Sequence, residues 1–342
     1  MPASTGPTAD LKDLRVGDRV EVRGAEEILA TLDAHGEHES LPFMPEMLRY
    51  CGRQFTVDKV AHKVCDTIGD SGFRRMDNAV HLAGVRCDGS AHGGCQAACL
   101  IYWKTAWLKR VDPATPGPQR SAAPKGMESL LARASRGQPA ADGIETYRCQ
   151  STELLRAAPH TLPVRHPGQY IRDVRSGNVS APWALRAYAV ATVNRIQDLS
   201  RRHLPGWLRI RGGRRWRVLR GSGSRTPTGS IGLQPGELVR IRSRSEIERT
   251  LDADLRNRGL GFDAEMTRFC GRTARVARRV ERIIDERTGR MLHMRNPCIV
   301  LEGIVCEGAY SVNCPRSIPA YWREVWLERV EENSRDGADV CG

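Results

Sequence analysis

The sequence predicts a mainly β protein with short helices (α+β) that carries two copies of one small domain. The first observation is internal repetition. LRVGDRVEVRGAEEILATLD from Leu14 returns as LQPGELVRIRSRSEIERTLD from Leu233, RYCGR at Arg49 as RFCGR at Arg268, and YWKTAWLKRV at Tyr102 as YWREVWLERV at Tyr321. Each pair is offset by 219, so residues 14–111 lie on 233–330 without a gap, with 31 of 98 pairs identical. The second observation is a period-two alternation at the head of each copy, in RVEVR and LVRIR, which is the pattern of a half-buried strand. The third is size: 342 residues with 40% hydrophobic content suffice for more than one buried core.

The elements of one copy follow in order. Val20 with Val22, and Val239 with Ile241, face one side of the opening strand. Ile28 with Leu32 and Ile247 with Leu251 have helical spacing, and Ser245 with Glu248 has the form of a capping box. Phe43 with Met47 and Phe262 with Met266 predict a second short helical turn. Strand character resumes at GRQFTV and at NAVHLAGVRC, whose counterpart is NPCIVLEGIVC. Two tryptophans four apart, Trp103 with Trp107 and Trp322 with Trp326, close each unit. The opening strand after a glycine turn and the closing WL-x-R-V strand resemble those of an SH3-like barrel. The expected architecture is therefore two tandem SH3-like small barrels, residues 14–111 and 233–330. A partly helical, arginine-rich region at 112–232 joins them, and residues 1–13 and 331–342 are expected to be flexible ends.

Charge is concentrated between the copies. Residues 112–232 hold 20 Lys and Arg against 7 Asp and Glu, which accounts for the whole net charge of +13. Within this region VDPATPGPQRSAAPKG reads as a hinge. The stretch 180–202 reads as a helix with Ser180 as cap, Pro182 in the first turn and an apolar stripe of Trp183, Ala187, Val190, Val193 and Ile196. Arginine is densest from Trp207 to Arg225. There Arg209, Arg211, Arg214, Arg215, Trp216 and Arg217 offer the mixture of cations and aromatics that grips single-stranded nucleic acid, although such a segment also suits a solvated connector or an acidic protein partner. GSGSRTPTGS at 221–230 lacks the lysine and spacing of a phosphate-binding loop.

The cysteines carry the sharper chemistry. There are 11, an odd set, and the chain has neither a secretory leader pattern nor a run of eighteen apolar residues. A cytoplasmic protein without a membrane span is expected, with cysteines serving as thiols or metal ligands rather than disulfides. Three positions recur in both copies, Cys51 with Cys270, Cys87 with Cys306 and Cys95 with Cys314, and buried apolar packing is the ordinary account of such cysteines. The first copy adds Cys65, Cys99, His62 and His92, matched in the second by Ile284, Ile318, Glu281 and Ser311, and Cys149 lies between the copies.

Cys87, Cys95, Cys99, Cys149 and Cys65 with His62 and His92 thus form a candidate set for zinc or an iron-sulfur cluster, exceeding the four ligands either requires. Gly89, Gly93 and Gly94 in CDGSAHGGCQAAC give the backbone freedom to converge thiolates. No paired C-x2-C unit is present to favour zinc by spacing alone. A thiol enzyme using Cys95 with His92, or Cys65 with His62, is the competing catalytic reading.

The segments HLAGVRCDGSAHGGCQAACLIYWKTAWLKRV and NPCIVLEGIVCEGAYSVNCPRSIPAYWREVWLERV, with YRCQSTEL between them, resemble a group of cysteine-rich bacterial proteins with this two-copy layout. The resemblance spans nearly the whole chain. It implies a bacterial source and a loose association with biosynthetic gene neighbourhoods, and it carries no activity across. The expectation that follows is a metal-binding accessory protein with a redox, sulfur-handling or scaffolding role and a protein partner. Nucleic-acid binding through 207–225, with any metal only structural, is its rival.

Overall fold

The computed structural model describes residues 13–69, 72–112, 123–139, 142–209, 219–221, 223 and 226–330. The flexible ends expected at 1–13 and 331–342 lie outside the described residues, apart from Asp13. The protein is mixed strand and helix, with several small antiparallel sheets. No helix among the described residues is long and apolar enough to cross a membrane. Two compact units divide the chain. The first comprises Met1–Trp216, Arg282–His293 and Glu307–Ile318, and the second Arg217–Glu281, Met294–Cys306 and Pro319–Gly342.

In the first unit a five-stranded sheet runs in the order Trp103–Lys104, Ala79–Leu82, Gln54–Val60, Arg19–Val22 and Leu108–Arg110. The alternation of RVEVR places Val20 opposite Phe55 and Arg110, and Val80 stands opposite Trp103. Val20, Val22, Ile28, Phe43, Met47, Trp103 and Trp107 are all buried in its core. Phe43 meets Trp103 and Trp107 edge-on, with ring centroids 6.3 and 5.2 Å apart, so the two closing tryptophans share one aromatic partner. The region after the sheet is more helical than a connector. It holds Met127–Ala134, Leu154–Ala157, Gly168–Arg175 and Ala181–His203.

The last of these begins after an extended Ser180, with Pro182 in its first turn. Its buried line runs through Ala184, Ala187, Val190 and Gln197, whereas Ile196 is exposed. The expected stripe is therefore displaced: spacing alone does not settle which of two adjacent lines on a helix faces the core, and here the line holding Gln197 does.

In the second unit the sheet order is Pro319–Trp322, Met291–Val305, Thr273–Ile284, Leu238–Ile241 and Leu327–Arg329, with Ile299 opposite Trp322. Residues 282–293, at the facing ends of the two longest strands, belong to the first unit. The capping box is at Ser243 and Glu246 rather than Ser245 and Glu248. Glu246 N–H donates to Ser243 Oγ at 3.4 Å, and Ser243 N–H donates to the Glu246 carboxylate at 2.9 Å. The strand ends at Ile241 and Arg242 N–H is taken by the Trp326 carbonyl, so the chain is free to turn two residues earlier than the polar pattern suggested.

Candidate metal centre

The loop CDGSAHGGCQAAC is closed by backbone hydrogen bonds. Cys87 N–H donates to the Cys99 carbonyl at 2.9 Å, and the N–H groups of His92 and Gly94 both donate to the Gly89 carbonyl at 2.9 Å. Gly89 has φ +71°, and a Cβ there would stand 2.0 Å from the carbonyl oxygen of Cys95, so no other residue fits without moving the loop. This winding turns His92 inward until it is 1% exposed. Its Nε2 lies 3.2 Å from the Arg148 carbonyl, an acceptor, so Nε2 carries the proton and in the neutral ring Nδ1 is left as a lone-pair donor.

A second element supplies the oxygen. Pro45 presets the first turn of the short helix Pro45–Tyr50, and this turn carries Glu46 into the interior beside Met47. Glu46 Oε1 is 3.3 Å from His92 Nδ1 and receives the Cys87 thiol at 3.1 Å. One donor atom from each of Glu46, Cys87 and His92 falls within 4.8 Å of the others. Ligands held at about 2.0–2.3 Å around a tetrahedral ion stand roughly 3.3–3.8 Å apart, so the three contacts need only small adjustment to share one centre.

Glu46 Oε2 is buried without a hydrogen-bond partner among the described residues, and His92 Nδ1 has only the Glu46 Oε1 contact. An unpartnered buried carboxylate oxygen beside a ring nitrogen and a thiol is what a cation would satisfy. Burial works against the charge of Glu46, but the imidazolium form of His92, which donates from Nδ1, and then the Cys87 thiol outweigh it and hold the carboxyl below the ordinary value. Burial, reinforced by the Glu46 carboxylate, keeps the Cys87 thiol protonated far above its usual range.

Beside this trio is a cavity of about 40 Å³, enough for an ion with one or two waters. Cys87, His92, Cys95, Cys99 and Cys149 all line it, so five of the seven sequence-derived candidates come together. Burial raises the thiols of Cys99 and Cys149, the latter to about 12. Cys95 Sγ accepts the N–H of Ile284 at 3.4 Å.

The other two candidates lie elsewhere. Cys65 N–H donates to Cys314 Sγ at 3.3 Å, and the thiol of Cys65 is lowered to about 6, chiefly by the hydrogen bond from Cys314 and then by the buried Arg316, against the opposing effect of burial. His62 is spent on the buried Asp173, with Nε2 3.1 Å from its carboxylate. Neither histidine is set as a base for its sequence neighbour: His92 Nδ1 faces Glu46, and His62 Nε2 faces Asp173.

Among the nucleic-acid candidates, Arg209 donates to the carbonyls of Leu204 and Arg201. Arg211, Arg214, Arg215, Trp216 and Arg217 lie outside the described residues. Sequence reasoning missed Glu46, although a signal was present: Glu46 and Glu265 are one of the identical pairs at offset 219. No family model, curated protein or solved structure matches the chain.

Proposed function

We propose that this protein binds a single divalent metal ion, of which zinc suits the donors best, through Glu46, Cys87 and His92. The observation that carries the reading is the convergence of two buried donors, Glu46 and His92, with the half-buried Cys87 thiol, Glu46 Oε2 being left unpartnered, beside a cavity lined by further thiols. An oxygen, a nitrogen and a sulfur donor together favour zinc over an iron-sulfur cluster, which takes thiolates almost throughout. Cys95 and Cys99 stand nearby as the source of a fourth ligand. The ion would replace the Cys87 proton and tie the short helix Pro45–Tyr50 to the glycine loop.

The same proposal includes two copies of an SH3-like barrel in a cytoplasmic accessory protein with a redox, sulfur-handling or scaffolding role. Its support is that equivalent contacts recur at the offset of 219. Trp107 Nε1 donates to Thr31 Oγ1 at 3.1 Å and Trp326 Nε1 to Thr250 Oγ1 at 2.8 Å. In the second copy Ser311 stands where His92 stands in the first, so the centre belongs to the first copy alone.

Anaerobic purification followed by metal analysis and an absorption spectrum tests this reading, with Cys87→Ser and His92→Ala run alongside. Colourless protein with one equivalent of zinc, lost in both variants, is the expected result. Brown protein with iron and sulfide, lost in Cys99→Ser, would replace zinc by a cluster. Folded wild-type protein that retains no metal and takes none up would overturn the proposal.

A further inference from the structure

The second unit holds a cavity of about 230 Å³ walled by Arg258, Arg279, Arg295 and Arg323, with Glu324 as its one carboxylate. That carboxylate is already consumed. Glu324 Oε2 accepts the N–H groups of Ile231 and Gly232 at 2.6 and 2.9 Å and the Ser230 hydroxyl at 3.1 Å, while Oε1 takes the Arg279 guanidinium.

Arg323, 8% exposed, donates to the carbonyls of Asn257, Arg258 and Asn296 and approaches the Cys298 sulfur, with no carboxylate against it among the described residues. Carbonyl dipoles orient its fork without cancelling its charge. Arg258 Nε donates to the Thr226 carbonyl at 3.0 Å, and the exposed Arg295 has no ion-pair partner among the described residues.

The positions 219 residues earlier show what a balanced version looks like. Lys104 stands in place of Arg323, and its ammonium donates to Glu39 at 2.6 Å and to the Asp77 carbonyl at 2.9 Å. Glu39 replaces Arg258, Asp77 replaces Asn296, Met76 replaces Arg295 and Val60 replaces Arg279. The backbone is the same at the turn, with φ +50° at Glu39 and +49° at Arg258. The loop shape is thus kept while the charge is inverted: the side chains that line the second cavity carry three more positive than negative charges, although Arg279 also faces the exposed Glu281, just outside the lining, at 3.5 Å.

We infer that this cavity binds the phosphate group of a small phosphorylated molecule. Guanidinium forks match phosphate oxygens in pairs, and a dianion offsets a threefold surplus better than a single carboxylate does. The volume holds a phosphate with a few further heavy atoms.

Calorimetric titration of the full chain at low salt tests this, with inorganic phosphate, glycerol 3-phosphate, acetate and an unphosphorylated DNA single strand as probes. Both phosphates are expected to bind, acetate about tenfold more weakly or worse. Arg258→Glu with Arg295→Met, two exposed positions given the residues of the first copy, is expected to weaken phosphate binding about tenfold or more without lowering the unfolding temperature of the free protein. Arg295→Met alone gives a smaller loss and serves if the pair does not fold. Arg240→Gln, outside the cavity, is expected to leave binding unchanged. Absence of phosphate binding at about 10 mM, an equal loss in Arg240→Gln, unaltered binding in the cavity variants, or binding of the DNA strand alone would each overturn the inference.

Discussion

The backbone N–H of Ile284 donates to Cys95 Sγ at 3.4 Å, across 189 positions of sequence. Cys65 N–H meets Cys314 Sγ at 3.3 Å in the same fashion, and 65 with 284, like 95 with 314, are pairs at the offset of 219. Each of these loop cysteines is therefore held by a main-chain donor at the end of a strand distant in sequence, Thr273–Ile284 for Cys95 and Lys63–Cys65 for Cys314. Such N–H···S contacts fix the direction of each sulfur. Cysteine spacing within either loop carries no trace of this arrangement.

Gly89→Ala is expected to abolish metal retention and to destabilise the first unit well beyond the cost of its left-handed φ. Alanine at φ +71° costs about 1 kcal/mol, and here its Cβ would also overlap the Cys95 carbonyl at 2.0 Å. Gly84→Ala is the control, because Gly84 has φ +72° with nothing within 4 Å of the added carbon. Urea unfolding and metal content of both variants check the prediction. Equal behaviour of the two would mean that the loop relaxes freely and does not position the site.

Glu46→Gln keeps the shape of the side chain and removes its charge. Zinc affinity in a competition titration is expected to fall by about tenfold or more, since a neutral amide is a poor ligand in a buried site. The variant is expected to fold, because the Cys87 thiol can donate to the amide oxygen as it does to the carboxylate. Unchanged affinity would remove Glu46 from the ligand set.

The legible part of this molecule was its local pattern. RVEVR and LVRIR became the strands Arg19–Val22 and Leu238–Ile241, and all four repeat tryptophans are fully buried. Cys87, Cys95, Cys99 and Cys149 reach one cavity although they come from a loop and a distant segment. What stayed hidden depends on tertiary placement. Glu46 reads as a surface carboxylate in PEM and becomes a candidate ligand only because Pro45 starts a turn that buries it. Cys65 lies in strand Lys63–Cys65, whose neighbours direct it to Cys314 and Arg316 instead of Cys87. His62 was drawn away by Asp173, a residue in helix Gly168–Arg175 that no spacing rule connects to it.

Asp173 anchors a buried network and predicts a large stability effect. Its two oxygens face His62 Nε2 at 3.1 Å and Lys63 Nζ at 2.7 Å, and Asn313 Nδ2 donates to it at 3.1 Å. Lys63 and Asp173 are both 0% exposed, and burial pulls the lysine down while the carboxylate pushes back. Asp173→Asn would leave the ammonium without a counter-charge, with an expected loss of about 3–5 kcal/mol in urea unfolding. The double variant Asp173→Asn with Lys63→Met should recover part of that loss, because the uncompensated cation is gone. A loss below about 1 kcal/mol in the single variant would show that water reaches the pair.

His81 gives the fold a defined acid sensitivity. The ring is fully buried, its Nδ1 lies 2.9 Å from the Ile101 carbonyl, and it packs on Tyr102 with centroids 4.5 Å apart. Burial, against the Ile101 hydrogen bond and helped by the charges of Arg316 and Arg86, lowers its pKa from 6.5 to about 4. A base whose folded pKa is depressed protonates first in the unfolded chain. Above pH 6.5 both states hold the ring neutral and this residue adds no pH dependence. As pH falls from 6.5 toward 4 the unfolded state takes up a proton that the folded state refuses. Stability then drops by up to about 1.4 kcal/mol per pH unit, roughly 3 kcal/mol in all. Urea unfolding at pH 7.5, 6 and 5 should show this slope in the wild type and a flatter one in His81→Asn, whose amide can still donate to Ile101. Parallel slopes in the two proteins would assign the acid sensitivity to other groups.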